Sequence, residues 1–132
     1  MMENKCIILG RSTTLENGNS QTEVLVDAAK KDGYLSENII TIDYKDTPGL
    51  NEEERKGINV FKEQIEADQL IGCVYCYEPS RLGRNPKANE EIRCFLQKHH
   101  VQLVFLNPML KVFNEDFTIS ETASVMFGMT IR

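Results

Sequence analysis

Short apolar runs alternate with helical patterns along almost the whole chain, and this alternation limits its fold more than any other feature. A chain of this kind forms a parallel sheet with right-handed crossovers and with helices on both faces. We therefore predict an α/β fold with three layers (αβα), built on a mainly parallel, flavodoxin-like sheet of four strands plus a short edge strand. The predicted strands are Lys5–Leu9, Ile39–Tyr44, Ile71–Tyr77 and Val101–Leu106, with the edge strand around Lys111 to Phe113; the predicted helices are Ser20–Lys31, Asn51 to about Asp68, Ala88–His99, and one that starts near Ser120 and continues to Arg132.

Local signals support the helix boundaries. Ser20 followed three residues later by Glu23 is a capping-box pattern, and Gly33 is a typical stop after a helix. Asn51 is a typical N-cap residue. The spacing of apolar residues predicts which helix faces enter the core. These core positions are Ile58, Phe61 and Ile65 in the second helix, and Ile92, Phe95, Leu96 and His99 in the third.

Length and charge restrict the function classes. A chain of 132 residues forms one domain with a substantial core. The net charge of −5 argues against wholesale wrapping of nucleic acid, although it allows a small phosphate site. No apolar run approaches the roughly 18 residues of a membrane span, and the N-terminus lacks a signal-peptide pattern. We therefore expect a cytoplasmic protein without a membrane partner, with its four cysteines reduced.

Cysteine, histidine and glycine patterns give no sign of a metal or cofactor site. Cys73 and Cys76 form a C-x-x-C within a predicted strand, where residues three apart point to opposite faces, so we predict two core residues. His99 and His100 end a predicted helix, and nothing nearby supports a catalytic role. The glycine-rich motifs of nucleotide-binding loops are absent.

Arginines follow the predicted strands in an otherwise acidic chain. Arg11 follows the first strand, Arg55 lies after the second, and Arg81 and Arg84 follow the third. Because sites in parallel sheets form beyond the carboxyl ends of the strands, these side chains are expected at one edge. Arginine presents a planar set of donors suited to phosphate oxygens. Although any single arginine could fall there by chance, the set predicts a phosphate site beside the hydroxyl run Ser12-Thr13-Thr14.

Several of these stretches resemble the catalytic domain of the serine recombinases, the resolvase/invertase family. The resemblance covers almost the whole chain, and Ser80-Arg81-Leu82-Gly83-Arg84 is its most specific motif. The other matching stretches are Leu9-Gly10-Arg11-Ser12-Thr13, Gln21 and Glu54-Arg55-Lys56-Gly57.

The resemblance implies that the chain breaks and rejoins DNA without a metal or cofactor. In the family a serine attacks the scissile phosphodiester, forms a 5′-phosphoseryl link and releases a 3′ hydroxyl, by covalent catalysis with electrostatic stabilisation. Dimers of such proteins assemble into a tetramer. By position, the implied phosphate-binding residues are Arg11, Arg55, Ser80, Arg81 and Arg84, and the implied loop-ordering residue is Gln21.

The hydroxyl at the position of the family's serine is Thr13, two residues after Arg11, while Ser12 occupies the variable place between them. In extended backbone Arg11 and Thr13 share a face and Ser12 points away. The β-branched side chain of threonine is stiff and crowds an in-line attack. Three outcomes stay open: Thr13 is a poor nucleophile, a shift by one residue brings Ser12 into the site, or the domain is inactive. The family's aromatic residue two places before the arginine is replaced by Leu9.

We expect residues 1–132 to form a resolvase-type catalytic domain that ends within its last helix, with no DNA-binding domain in this chain. Such a domain binds DNA weakly and without sequence preference. Two other functions stay open. One is a catalytically degenerate recombinase-like domain that only associates with partners. The other is an unrelated flavodoxin-like module in which the arginine edge holds a small phospholigand.

Overall fold

The fold is seen in a computed structural model that describes residues 4–11, 21–44, 62–77, 86–106 and 109–127. Helices and strands alternate through these ranges, as the sequence predicts. The strands are β1 (Lys5–Arg11), β2 (Ile39–Tyr44), β3 (Ile71–Cys76), β4 (Gln102–Leu106) and β5 (Met109–Lys111); the helices are α1 (Gln21–Lys31), α2 (residues 62–67), α3 (Pro86–Lys98) and α4 (Glu121–Phe127), with a 3₁₀ turn at Ser36–Asn38.

In the described part of the chain, the five strands form one sheet in the order β2-β1-β3-β4-β5. Neighbouring strands from β2 to β4 are parallel, whereas β5 is antiparallel to β4. The prediction of a mainly parallel sheet is therefore confirmed, and the short edge strand is present.

The edge strand begins two residues earlier than predicted. Met109 pairs with Leu106, so the chain turns back immediately after β4. The predicted strand also included Val112 and Phe113. Both residues lie beyond the end of β5 at Lys111, and both are buried. The Gln102 side chain holds Phe113 there, because its amide donates to the Phe113 carbonyl at 2.8 Å and accepts from the Phe113 N–H at 3.0 Å. The Val112 N–H still donates to the Leu103 carbonyl of β4 at 2.9 Å, and beyond it the Gln102 side-chain amide binds both backbone groups of Phe113.

Alternating residues of the parallel strands fill two separate cores, one on each face of the sheet. On one face, Cys6 and Ile8 of β1 pack with Leu25 and Ala29 of α1. On the other face, Ile7 and Leu9 of β1 pack with apolar residues of the three remaining helices. Those helix residues are Ile65 of α2, Ile92 and Leu96 of α3, and Ala123 of α4. Helices therefore cover both faces, which confirms the three-layer prediction.

A β-bulge at Gly72 changes which face β3 presents. The pairing passes from Lys5–Ile71 to Cys6–Cys73, so Gly72 is an extra residue in β3. As a result Ile71 joins the core below α2 and α3, while Cys73 joins the core below α1. The bulge sets the orientation of every later residue of β3.

Helix ends agree with the sequence signals in two places. Gly33 follows α1 with φ 107°, a conformation that favours glycine, and its N–H donates to the Lys30 carbonyl. Ser120 precedes α4, and its Oγ accepts a hydrogen bond from the Ala123 N–H at 3.1 Å. The predicted caps Ser20 and Asn51, the core positions Ile58 and Phe61, and residues 128–132 lie outside the described residues.

The prediction that His99 belongs to the core of α3 is wrong. Ile92 and Leu96 are buried, but α3 ends at Lys98 and His99 is exposed. Its ring lies against Phe95, with centroids 4.2 Å apart, and its Nδ1 is 2.9 Å from the Phe95 carbonyl oxygen. The His99 N–H still donates to the Phe95 carbonyl at 3.1 Å, so the helical geometry reaches this residue, but at the end of α3 its side chain is exposed to solvent.

Candidate active site

The order of the strands creates a switch point between β1 and β3. The strand that follows β1 in the chain, β2, pairs with one edge of β1, and the next strand, β3, pairs with the other edge of β1. In open parallel sheets, ligands bind beyond the carboxyl ends of the strands at such a point. The structure therefore singles out the edge where β1 and β3 end.

At this edge β1 extends beyond its neighbour β3. The last pair between these strands is Leu9–Cys76, but β1 continues beside β2 as far as the pair Arg11–Tyr44. Within the described ranges, the β3 side of Gly10 and Arg11 thus has no strand partner. The segments that follow β1 and β3 in the chain therefore begin at this edge of the sheet.

Two of the predicted site residues have described backbone at this edge. Arg11 is the last residue of β1, and Gln21 is the first residue of α1, the helix that follows β1 in the chain. The other predicted site residues lie outside the described residues, so the meeting of all these side chains stays a prediction. They are Ser12, Thr13, Arg55, Ser80, Arg81 and Arg84.

Towards the amino ends of β1 and β3, away from this edge, buried thiols and phenols pack between α1 and the sheet. Burial, with a smaller contribution from Asp32, raises the pKa of the Cys6 thiol to about 12. Burial likewise raises the pKa of Cys73 to about 12, and it raises the pKa values of Tyr34 and Tyr75. The two thiols are therefore protonated near neutral pH, which makes them poor nucleophiles in this state.

The C-x-x-C prediction is confirmed, since Cys73 and Cys76 are both buried and belong to cores on opposite faces of the sheet. In the parts of the chain that the structure describes, no three residues among the histidines, cysteines and carboxylates gather as metal ligands.

The sequence matches the family model described as Resolvase, N terminal domain, over residues 6–130. The chain belongs to this family. No individual curated protein matches the chain. As a resolvase N-terminal domain, the chain is the catalytic domain of a site-specific recombinase, a class of proteins that recombine DNA. The predicted membership of the serine recombinase (resolvase/invertase) family is thereby confirmed.

The resolvase domain also has a groove of about 480 Å³ on its α1 side. Tyr77, Leu106 and Met109 line it from the sheet, and Val24 and Ala28 line it from α1. The charged residues along the groove are Asp27, Lys31 and Asp32. With two carboxylates and one ammonium group, the groove is a poor phosphate site.

None of the helices that the structure describes in this resolvase domain is long and apolar enough to span a membrane. The site residues that follow β1, β2 and β3 were identified from the sequence motifs alone. The described residues show where the strands before these segments end.

Proposed function

We propose that this domain cleaves and rejoins DNA through a covalent link between a hydroxyl residue and a 5′ phosphate. The match to the resolvase N-terminal domain over residues 6–130 carries the proposal. The extension of β1 to Arg11 at the switch point supports it, because it brings the segment with Ser12 and Thr13 to the edge where sites of this fold form.

The proposed reaction is an exchange of phosphodiester bonds. A hydroxyl oxygen of the protein attacks phosphorus, the bond from phosphorus to the 3′ oxygen breaks, and the proton lost by the hydroxyl balances the proton gained by the 3′ oxygen. The reverse attack by a 3′ hydroxyl rejoins the strand and frees the protein. Arg11, Arg55, Arg81 and Arg84 would bind the phosphate and stabilise the charge that develops on its oxygens.

Thr13 is the proposed nucleophile. In extended backbone, residues two apart share a face, so a continuation of the β1 alternation gives Thr13 the side of Arg11 and gives Ser12 the opposite side. The secondary hydroxyl of threonine has a more restricted χ1 than serine, so we expect slow cleavage. Gln21, at the start of α1, would order the segment between β1 and α1.

The proposed partners are DNA and further copies of the chain, as a dimer and then as a synaptic tetramer. With a net charge of −5 and few arginines at the site, the domain itself would add little DNA affinity at physiological salt. Base contacts specify sequence, and the proposed site makes only phosphate contacts, so we expect binding without sequence preference.

The threonine at position 13 favours a second candidate function, a recombinase-like domain that associates with partners but has lost its chemistry. Both candidates predict the same fold and the same assembly. They differ only in whether a covalent protein–DNA complex forms.

Trapping that complex on a nicked suicide substrate tests the proposal, using the full-length gene product with DNA that carries candidate sites. Arg81→Gln should abolish the covalent complex if Arg81 binds the scissile phosphate. The matched control is Lys98→Gln, which removes a positive charge from the exposed end of α3 and should leave the complex unchanged. An unchanged yield of complex in Arg81→Gln would exclude this residue from the site, and no complex in the wild type or in Thr13→Ser would favour the degenerate domain.

A further inference from the structure

Two cysteines lie directly opposite each other on adjacent strands beneath α1. Cys6 of β1 and Cys73 of β3 are register partners in the parallel pair. Both are buried, both are reduced, and both belong to the core that contains Leu25 and Ala29 of α1. Their thiols therefore share one face of the sheet at one level.

We propose that Cys6 and Cys73 form a redox-sensitive pair, which a peroxide converts into an intramolecular disulfide between β1 and β3. This modification is independent of the proposed recombination chemistry. It requires only the two thiols and a small oxidant that can enter the core.

The backbone geometry fits such a bond. Adjacent strands lie about 4.8 Å apart, and the Cα atoms of disulfide-bonded cysteines are usually about 4.4–6.8 Å apart. The Gly72 bulge directly precedes Cys73, and bulges increase the local twist of a strand. The adjacent strands thus give a Cα separation within the range of disulfide-bonded cysteines, and the shared face puts both side chains on one side of the sheet.

The other cysteines are placed differently. Cys76 belongs to the core on the opposite face of the sheet from Cys73, and Cys94 lies on α3, which also packs on that opposite face. Because the sheet separates these thiols from Cys6 and Cys73, an intramolecular disulfide in the folded protein should join only the pair beneath α1.

The chemistry balances with one peroxide molecule per disulfide. Cys73, which is 6% exposed where Cys6 is fully buried, attacks a peroxide oxygen. The O–O bond breaks, water leaves, and a sulfenic acid forms on Cys73. The Cys6 sulfur then attacks the Cys73 sulfur, the S–O bond breaks, and a second water leaves as the S–S bond forms. Two thiols are oxidised and the peroxide is reduced to water.

The reaction should be slow at neutral pH. Burial raises the pKa of both thiols to about 12, and the thiolate is the reactive form. The rate should therefore keep rising with pH beyond about 8.5, the ordinary pKa of a cysteine thiol. An exposed cysteine would instead reach a plateau near that value.

The test treats the reduced protein with hydrogen peroxide near pH 9 and maps the linked peptides by mass spectrometry. Wild type and Cys94→Ala should yield the Cys6–Cys73 peptide pair, and Cys6→Ala and Cys73→Ala should not. The bond closes a long loop, so the midpoint of thermal unfolding should rise by at least about 5 °C and return when a thiol reductant is added.

Folding of each variant is checked by circular dichroism, and the two alanine variants test the pair independently. If only one of them folds, the absence of the linked peptides in that variant and their presence in Cys94→Ala still identify the Cys6–Cys73 pair. Absence of linked peptides in the wild type after prolonged oxidation, or linkage of a different pair of cysteines, would overturn the proposal. A reaction rate that levels off near the ordinary thiol pKa would do so as well, because the reacting thiols would then not be the buried ones.

Discussion

The Tyr75 hydroxyl donates a hydrogen bond to the Asp32 carboxylate at 2.5 Å, which joins the middle of β3 to the turn after α1. Tyr34 packs edge-on against the same ring, with centroids 6.2 Å apart. Burial, followed by the bond to Asp32, raises the pKa of Tyr75. The phenol of Tyr75 is thus neutral and acts as a donor. Its ring is buried, while its hydroxyl reaches the partly solvated carboxylate of Asp32. This contact fixes the end of α1 against the sheet.

Removing this hydroxyl should weaken the fold without changing it. Tyr75→Phe keeps the buried ring but loses the bond to Asp32, and we expect the free energy of unfolding to fall by about 1 kcal/mol. Urea denaturation measures the change. Tyr77→Phe, which removes the hydroxyl of a half-buried tyrosine next to β3, is the control and should have a smaller effect. Equal losses in the two variants would show that the Asp32 bond contributes nothing specific.

Acid should remove the stabilisation that Asp68 provides. The Lys5 ammonium, at 2.6 Å, and the Leu70 N–H, at 3.0 Å, hold the pKa of Asp68 below its ordinary value of 3.8. A carboxyl whose pKa is lower in the folded state stabilises the fold above its unfolded pKa, and this stabilisation is lost as pH falls through the folded value. Asp68→Asn should therefore be less stable than wild type at pH 7, with the difference shrinking below about pH 4.

Urea denaturation at several pH values checks this prediction. The control is Glu63→Gln, which removes a carboxylate from the exposed side of α2. Parallel stability curves for wild type and Asp68→Asn across the acid range would contradict the coupling between Asp68 and Lys5.

Glycine should be better tolerated than alanine at position 100. His100 follows α3 with φ 55°, and the N–H groups of His100 and Val101 donate to the carbonyls of Gln97 and Leu96, which is the Schellman arrangement. Its ring stacks on Phe117, with centroids 4.8 Å apart. Both His100→Gly and His100→Ala lose this stack, but only glycine relieves the left-handed backbone strain. His100→Gly should therefore be more stable than His100→Ala by about 1 kcal/mol.

The same pair of substitutions at Lys98, the exposed last residue of α3, should show the reverse order, because alanine is a better helix former than glycine. Thermal unfolding of the four variants provides the comparison. If alanine exceeds glycine at both positions, the strain assigned to His100 is absent.

Arg93 should be replaceable by an apolar residue. It is 3% exposed, its Nη2 lies 3.5 Å from Glu90, and its buried Nη1 makes no hydrogen bond in the described part of the chain. A buried charge with incomplete pairing costs stability, so Arg93→Met should raise the free energy of unfolding by about 1 kcal/mol or more. Lys98→Met on the same helix should change it by less than about 0.5 kcal/mol. A clear loss of stability in Arg93→Met would indicate that the guanidinium group is well compensated.

The strand-helix alternation was sufficient to predict the layers and the parallel sheet, because buried parallel strands and amphipathic helices have distinct periods. It failed at Phe113, where a long-range contact decides the outcome, because the Gln102 side chain binds both backbone groups of Phe113 beyond the end of β5. It also failed at His99, which has core spacing on the helix but lies exposed at the end of α3. Neither outcome leaves a local signal in the sequence.

The candidate site was predicted from a different kind of signal. In the sequence Arg55, Arg81 and Arg84 come after predicted strands, where no apolar periodicity fixes a side-chain position, so spacing and family resemblance are the only guides to them. The structure adds that β1 extends to Arg11 beside the shorter β3. Side chains alternate along extended backbone, so either Thr13 or Ser12 faces the arginines. A shift of the backbone by one residue, a single step in this alternation, would exchange the two hydroxyls.

That step is open to experiment through the two neighbouring hydroxyls. If Thr13 is the nucleophile, Thr13→Ser provides a less hindered hydroxyl at the same position and should raise DNA cleavage at least about tenfold, because small changes in reach and orientation alter rates strongly. Ser12→Ala should have little effect, and Thr13→Ala should abolish the covalent complex. The measurement is the yield of covalent protein–DNA complex from each full-length variant on a nicked suicide substrate. Loss of the complex in Ser12→Ala with its retention in Thr13→Ala would instead identify Ser12 as the nucleophile, and would mean that the alternation of β1 does not continue to residue 13.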